Sequence, residues 1–141
     1  MKFKKGEMDM TETLTNITEI FDTYETEKKE TPRIDAFVDF IKLKRMANAQ
    51  EKLIDEYIVK DRDIRNGKAV IKGTRITTKE LMLITQEAFE SKPKNIDKFI
   101  KYIEEQYPSI DSIEKIVAGL AYEIKQLNTF KFIITILRNN S

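Results

Sequence analysis

The sequence predicts a mainly α-helical fold with one small β-hairpin, which precedes a three-helix unit and follows further N-terminal helices. Apolar residues recur every three or four positions in five separate segments, and this spacing buries one face of a helix. Two short β-branched stretches flank an Asn-Gly pair between the second and third of these segments. Capping or helix-breaking residues separate the last three segments.

Two helices are predicted in residues 1–54. The first carries an apolar stripe made of Leu14, Ile17, Ile20, Phe21 and Tyr24. Its intervening Thr and Asn residues are poor helix formers, so we expect this stripe to associate with a protein partner. The second helix covers about residues 33–49, and its continuation to residue 56 is left open. We expect it to pack in the core or in a dimer.

The hairpin is predicted around Asn66-Gly67, since both residues readily adopt the positive φ of a tight hairpin turn. Its strands would be Tyr57-Ile58-Val59 and Ala69-Val70-Ile71. Gly73 interrupts the apolar run after the second strand. We expect Gly73 to adopt a backbone conformation that a side chain would forbid.

Three short helices follow. Thr77 and Glu80 have the spacing of a capping box, which starts the first of them. The second ends at Tyr107-Pro108, because the residue before a proline avoids the helical conformation. Either Asp111 or Ser112 caps the third. The apolar segment 128–141 fits both a helix and a strand.

The string Gly67-Lys68-x-Val70-Ile71-x-Gly73-Thr74-Arg75-Ile76, with Tyr107-Pro108 and Ala121-Tyr122, resembles the domain of unknown function 433 family. The resemblance covers residues 55–127. It implies a helix-turn-helix-like domain there, an N-terminal extension or partner-binding arm at 1–54, and a regulator of the antitoxin type. Ala69, Lys72 and Thr77 depart from the family's usual residues, as does the long connection at 90–95.

Composition excludes several classes of activity. The chain has neither Cys nor His, so thiol nucleophiles, imidazole bases and the usual zinc sites are excluded. We expect no catalytic residues, no cofactor and no metal, and we interpret Asp61-x-Asp63 as a solvated turn. No apolar run approaches the ~18 residues of a membrane span, which predicts a cytoplasmic protein.

Net charge is only +1, but residues 61–141 hold 14 Lys/Arg against 11 Asp/Glu. An anion-binding surface is therefore expected in the second half. If the last helix acts as a recognition helix, its outward face carries Ser112, Lys115, Ala118 or Gly119, Tyr122 and Gln126. The predicted DNA-binding residues are Arg75, Lys92, Lys94, Lys98, Lys101, Ser112, Lys115, Tyr122 and Gln126.

Two functions follow as hypotheses. The first is a non-enzymatic, homodimeric regulator that resembles an antitoxin and binds a protein partner, with double-stranded DNA as a second ligand. The partner would be a nuclease-like toxin or a host defence protein. The alternative is a phage or mobile-element inhibitor or adaptor that binds protein and no DNA.

Overall fold

The computed structural model confirms the predicted fold class, because the chain is mainly helical with one two-stranded antiparallel hairpin. The structure describes residues 10–30, 34–90, 95–127 and 138, without the side chains of 22–30, 34–37 and 89–90. Except for Arg138, segment 128–141 lies outside the described residues. In chain order the elements are α1 (Thr11–Glu30), α2 (Ile34–Asn48), α3 (Glu51–Tyr57), β1 (Ile58–Val59), β2 (Val70–Ile71), α4 (Thr78–Glu90), α5 (Ile96–Gln106) and α6 (Ile113–Lys125).

The first helix, α1, belongs to the core of the protein. Leu14 and Ile17 are fully buried and Phe21 is 6% exposed, since α1 packs on α2 and α6. Ile20 is half-buried against the same cluster. The expectation that this stripe binds a partner is therefore wrong for Leu14, Ile17 and Phe21, whose apolar surface is already covered by the chain itself. The Tyr24 side chain lies outside the described residues.

The poor helix formers of α1 are accommodated by local hydrogen bonds. The Thr15 hydroxyl donates to the Thr11 carbonyl at 2.8 Å, and the Thr18 hydroxyl donates to the Leu14 carbonyl at 2.9 Å. These bonds satisfy hydroxyl groups that would otherwise compete with the helical backbone. Packing on α2 and α6 then outweighs the weak intrinsic propensity.

The second predicted helix, at about residues 33–49, is confirmed as α2, and the continuation to residue 56 is a separate helix, α3. α2 ends at Asn48, and α3 begins at Glu51 after a turn at Ala49-Gln50. Phe40, Leu43 and Ala47 of α2 are fully buried, which agrees with the predicted core packing.

The two strands pair antiparallel, with Ile58 opposite Ile71 and Val59 opposite Val70. Asn66 has a φ of 58° and Gly67 a φ of 82°, so both residues take the positive φ that their sequence favours. They lie within a longer connection between the strands, residues 60–69, and not in an isolated two-residue turn.

Each of the last three helices begins at a capping side chain. The Thr77 hydroxyl accepts from the Glu80 amide at 3.0 Å, and the Ser112 hydroxyl accepts from the Lys115 amide at 3.3 Å. Asn95 caps α5, where its side chain accepts from the Asp97 amide at 3.0 Å. Such caps satisfy amides that have no partner inside the helix.

Helix α5 ends as the Tyr-Pro pair predicted. Tyr107, the C-cap after the last helical residue Gln106, is followed by Pro108 and packs its ring edge-on against Tyr102, with 6.2 Å between the ring centroids. Burial, together with the neighbouring Tyr102, raises the pKa of the Tyr107 hydroxyl above its usual value.

Helix α6 is the centre of the fold. It contacts α1, α2, α3, α4 and both strands, and its residues Ile116, Val117, Ala118, Leu120, Ala121 and Ile124 are at most 1% exposed. Burying a large aliphatic side chain contributes about 1.5–3 kcal/mol, so this helix is the main source of apolar stabilisation. The N-terminal helices α1 and α2, which the family resemblance implies are an extension, cover one side of α6.

A lysine from α2 caps the far end of α6. The Lys44 ammonium donates to the carbonyls of Ile124, Lys125 and Leu127 at 3.3, 2.8 and 3.0 Å. These carbonyls lie at the negative end of the helix, where a cation is favourable. Desolvation, and then the nearby Lys125, lower the pKa of Lys44, so the gain from the three hydrogen bonds is partly offset.

Candidate nucleic-acid interface

The turn after β2 presents Arg75 to solvent. Gly73 has the predicted positive φ, 81°. The Thr74 hydroxyl donates to the Ile71 carbonyl at 2.8 Å and accepts from the Ile76 amide at 2.9 Å. These bonds fix the turn, while the exposed guanidinium of Arg75 makes no hydrogen bond or ion pair with other described residues.

A second arginine ties the strand connection to the start of α4. Arg65 has a φ of 49°, a left-handed conformation that costs roughly 1–3 kcal/mol for a residue with a side chain. Its guanidinium donates to the Arg75 carbonyl at 3.0 Å and lies 2.6 Å from Glu80 Oε1. The contact with this buried oxygen is an ion pair and not an aligned hydrogen bond.

Glu80 therefore does not complete the capping box. The Thr77 half of that motif is confirmed, but the Glu80 carboxylate turns to Arg65 instead of to the backbone amide of Thr77. The sequence-based expectation is wrong here because a guanidinium is a stronger partner for a carboxylate than a neutral amide.

Two of the lysines predicted to bind DNA lie on α5, and both are at the surface. Lys98 and Lys101 are exposed, and neither side chain forms an ion pair with another described residue. Lys92 and Lys94 lie outside the described residues.

The predicted outward face of α6 is only partly at the surface. Ala118 is fully buried and Gly119 lies against Leu81 and Ile71, so the expectation that either faces outward is wrong. Small residues at these positions let α4 and the hairpin approach α6 closely. Gln126, after the end of the helix, is exposed.

Lys115 and Ser112 have structural partners at the start of α6. Lys115 forms an ion pair with Asp111 at 2.8 Å, and its side chain is only 15% exposed. Its ammonium lies 4.0 Å from the position that a β-carbon on Gly73 would take. Ser112 is the N-cap. Both residues thus contribute to the fold at the edge of the turn that holds Arg75.

Tyr122 lies under Lys60, which is not among the predicted DNA-binding residues. The Lys60 ammonium is 5.4 Å from the centroid of the Tyr122 ring, within the range of a cation–π contact. A hydrogen bond to Tyr122 raises the pKa of Lys60. Tyr122 thereby connects α6 to the beginning of the strand connection.

A group of exposed cations lies in the hairpin and its flanking turns, and Arg75 is the one member of it that the sequence predicts to bind DNA. We call this group the basic hairpin surface, and it consists of Lys60, Arg62, Lys68, Lys72, Arg75 and Lys79. Residues 60–79 hold seven Lys/Arg and only two Asp. The excess is local, since residues 61–141 as a whole hold 14 Lys/Arg against 11 Asp/Glu.

Two carboxylates in or beside this region have structural roles. The Asp61 carboxylate accepts from the Asp63 amide at 2.9 Å, which is a local turn bond. Glu123 Oε2 accepts from the Thr78 hydroxyl at 2.8 Å. Within the part of the chain that the structure describes, no group of three or more His, Cys, Asp or Glu side chains is arranged to hold a metal.

Comparison of the chain with protein-family models, curated proteins and solved structures gives no match. The resemblance to the domain of unknown function 433 family therefore stays a prediction. Over the described residues, no helix combines the length and apolar character that a bilayer crossing demands.

Proposed function

We propose that this protein is a non-enzymatic regulator, similar in kind to an antitoxin, which binds a protein partner and duplex DNA as a homodimer. The observation that carries the proposal is the set of exposed cations on the hairpin and three-helix unit. Arg75 precedes α4, and Lys98 and Lys101 follow along α5. Phosphate contacts of this kind position a protein on DNA.

A dimer strengthens the DNA half of this proposal. Affinity for DNA rises with the number of phosphates that a protein neutralises. The chain is nearly neutral overall, with a net charge of +1, so one subunit carries little net positive charge. Two subunits would bring two sets of exposed cations to a single duplex. Light scattering measures the oligomeric state directly.

The DNA half is tested by the fluorescence anisotropy of a labelled duplex at several salt concentrations. We expect binding at low salt that weakens linearly on a logarithmic plot as salt increases. A flat titration at the lowest salt would remove DNA from the proposal.

The protein half is tested by purifying the chain from its native host and identifying the bound protein. A captured nuclease must then lose activity when the purified chain is added in equal amount. If the captured protein keeps its activity, the antitoxin assignment fails even though binding exists.

A second candidate function is supported by the burial of α6. A recognition helix needs an exposed face to enter the major groove, and Ala118 and Gly119 on the expected face are buried. This favours a protein-binding inhibitor or adaptor that does not contact DNA. It predicts a captured protein partner together with no duplex binding at low salt.

A further inference from the structure

We propose that the basic hairpin surface, and not α6, is where the protein contacts DNA, through the phosphate backbone and without reading the bases. This inference rests on the DNA half of the proposed function, and it assigns that function a surface. It concerns the six exposed side chains of Lys60, Arg62, Lys68, Lys72, Arg75 and Lys79.

Helix α6 is too deeply buried to be the element that contacts DNA. In this structure α6 is covered by α1 and α2 in addition to α3, α4 and the hairpin. Reading base edges requires side chains that extend into a groove from an exposed helix or strand. Since the middle of α6 is buried, it offers no continuous face of that kind.

Most cations of the basic hairpin surface are available to a phosphate. Arg65 is already engaged by Glu80 and the Arg75 carbonyl, and Lys60 lies over Tyr122. The side chains of the other five cations form no hydrogen bond or ion pair with described residues. Phosphates therefore need not displace an internal partner when they bind these five.

The basic hairpin surface fits a nucleic-acid backbone better than it fits a protein. The large hydrophobic side chains exposed among the described residues are Val38, Leu83 and Tyr102, and none lies within residues 60–79. Protein interfaces depend on buried aromatic and aliphatic anchors, whereas nucleic-acid interfaces are polar and positively charged. The composition of the surface favours a nucleic-acid backbone over an acidic protein.

The backbone that carries the basic hairpin surface is held in place by local contacts. Both ends of the connection are held by the paired strands, and Arg65 in its middle is held by the Arg75 carbonyl and by the ion pair with Glu80. The turn around Gly73 is fixed by the two Thr74 hydrogen bonds. A preorganised surface loses less conformational entropy on binding than a mobile one.

The experiment compares two triple variants with the same change in net charge. The test variant is Lys68→Gln/Lys72→Gln/Arg75→Gln. The matched control is Lys42→Gln/Arg45→Gln/Lys52→Gln, which removes three exposed cations from α2 and α3. Both are titrated with the same labelled duplex over a salt series, after circular dichroism has confirmed folding. Should the test triple fail to fold, the three single variants replace it.

We expect the test variant to lose at least tenfold in affinity and the control to stay within twofold of wild type. The salt slope of the test variant should fall by about 0.9 for each lost phosphate contact. Scrambling the duplex sequence should leave the affinity unchanged, because backbone contacts carry no sequence information.

Three outcomes would overturn the inference. Equal losses in the two triples would show an effect of net charge alone. An unchanged test variant, together with weakened binding by Lys98→Gln/Lys101→Gln, would place the contact on α5 and leave the proposed function intact. No binding by wild type at low salt would remove both the inference and the DNA half of the proposed function.

Discussion

Replacement of Gly119 by alanine tests the close approach of α4 to α6. A β-carbon built on Gly119 would lie 2.6 Å from Leu81 Cδ2 and 3.6 Å from Ile71 Cδ1. Leu81 is fully buried, so its methyl group cannot move into solvent. Forcing an extra carbon into a packed core costs about 1–3 kcal/mol, while alanine gains about 1 kcal/mol over glycine within a helix. The net effect is a loss of roughly 0–2 kcal/mol.

The sign of the effect should reverse once the clashing methyl group is removed. Leu81→Ala alone is expected to cost about 2–5 kcal/mol. In that background the β-carbon of Ala at position 119 no longer clashes with Leu81, while Ile71 Cδ1 at 3.6 Å is at an ordinary contact distance. The helix propensity gain of about 1 kcal/mol then remains. The two substitutions should therefore couple by about 1–3 kcal/mol.

Equilibrium urea unfolding of the four proteins in this cycle measures the coupling, provided that the denaturant slope is the same in all of them. A stabilisation by Gly119→Ala that is the same in both backgrounds would refute the reasoning. Gly119 would then face an open space, as the recognition-helix interpretation had assumed.

Three further predictions concern the turn, the cap and the tyrosine. Gly73→Val should destabilise the fold by about 1–3 kcal/mol from backbone strain alone, because no atom of the described residues beyond its chain neighbours lies closer than 4.0 Å to the new β-carbon. Gly73→Asn should cost clearly less, and equal melting temperatures of the two variants would contradict this. Lys44→Ala should cost about 1–2 kcal/mol through three lost carbonyl partners, whereas Lys42→Ala on the exposed face should stay within about 0.5 kcal/mol of wild type; indistinguishable unfolding midpoints would rule out the cap. Because the folded state raises the pKa of Tyr107, its contribution is present below about pH 10 and is lost as pH rises through the folded-state pKa. Wild type should thus lose stability relative to Tyr107→Phe in alkaline urea titrations, and parallel curves would refute the shift.

Local signals in the sequence were sufficient for the caps and the turns. Thr77 and Ser112 cap helices because their hydroxyls reach amides three residues ahead. Gly73 and Asn66 take positive φ because few other residues tolerate it. These features depend on residues that are near in sequence, so they can be predicted without a structure.

The packing around α6 was not predictable in the same way. A single apolar stripe predicts one buried face, but α6 is covered on several sides by elements distant in sequence. The apolar spacing places Ala118 or Gly119 on the outward face because small residues are not recognised as apolar anchors. The same smallness permits close helix packing, and it is distinguishable from surface placement only when the neighbouring elements are known. Likewise, the ion pair between Arg65 and Glu80 depends on the path of the connection and not on a sequence motif.

The central position of α6 has a consequence for folding during synthesis. α1 and α2 contact each other and can form an early helical pair, yet their buried residues Leu14, Phe40 and Leu43 complete one core with α6. α6 follows α1 by roughly 100 residues. At a synthesis rate of about 5–20 residues per second, α6 is synthesised roughly 5–20 s after α1. During that interval the nascent chain exposes an apolar surface that chaperones bind, and contacts of such long sequence separation also slow folding after release.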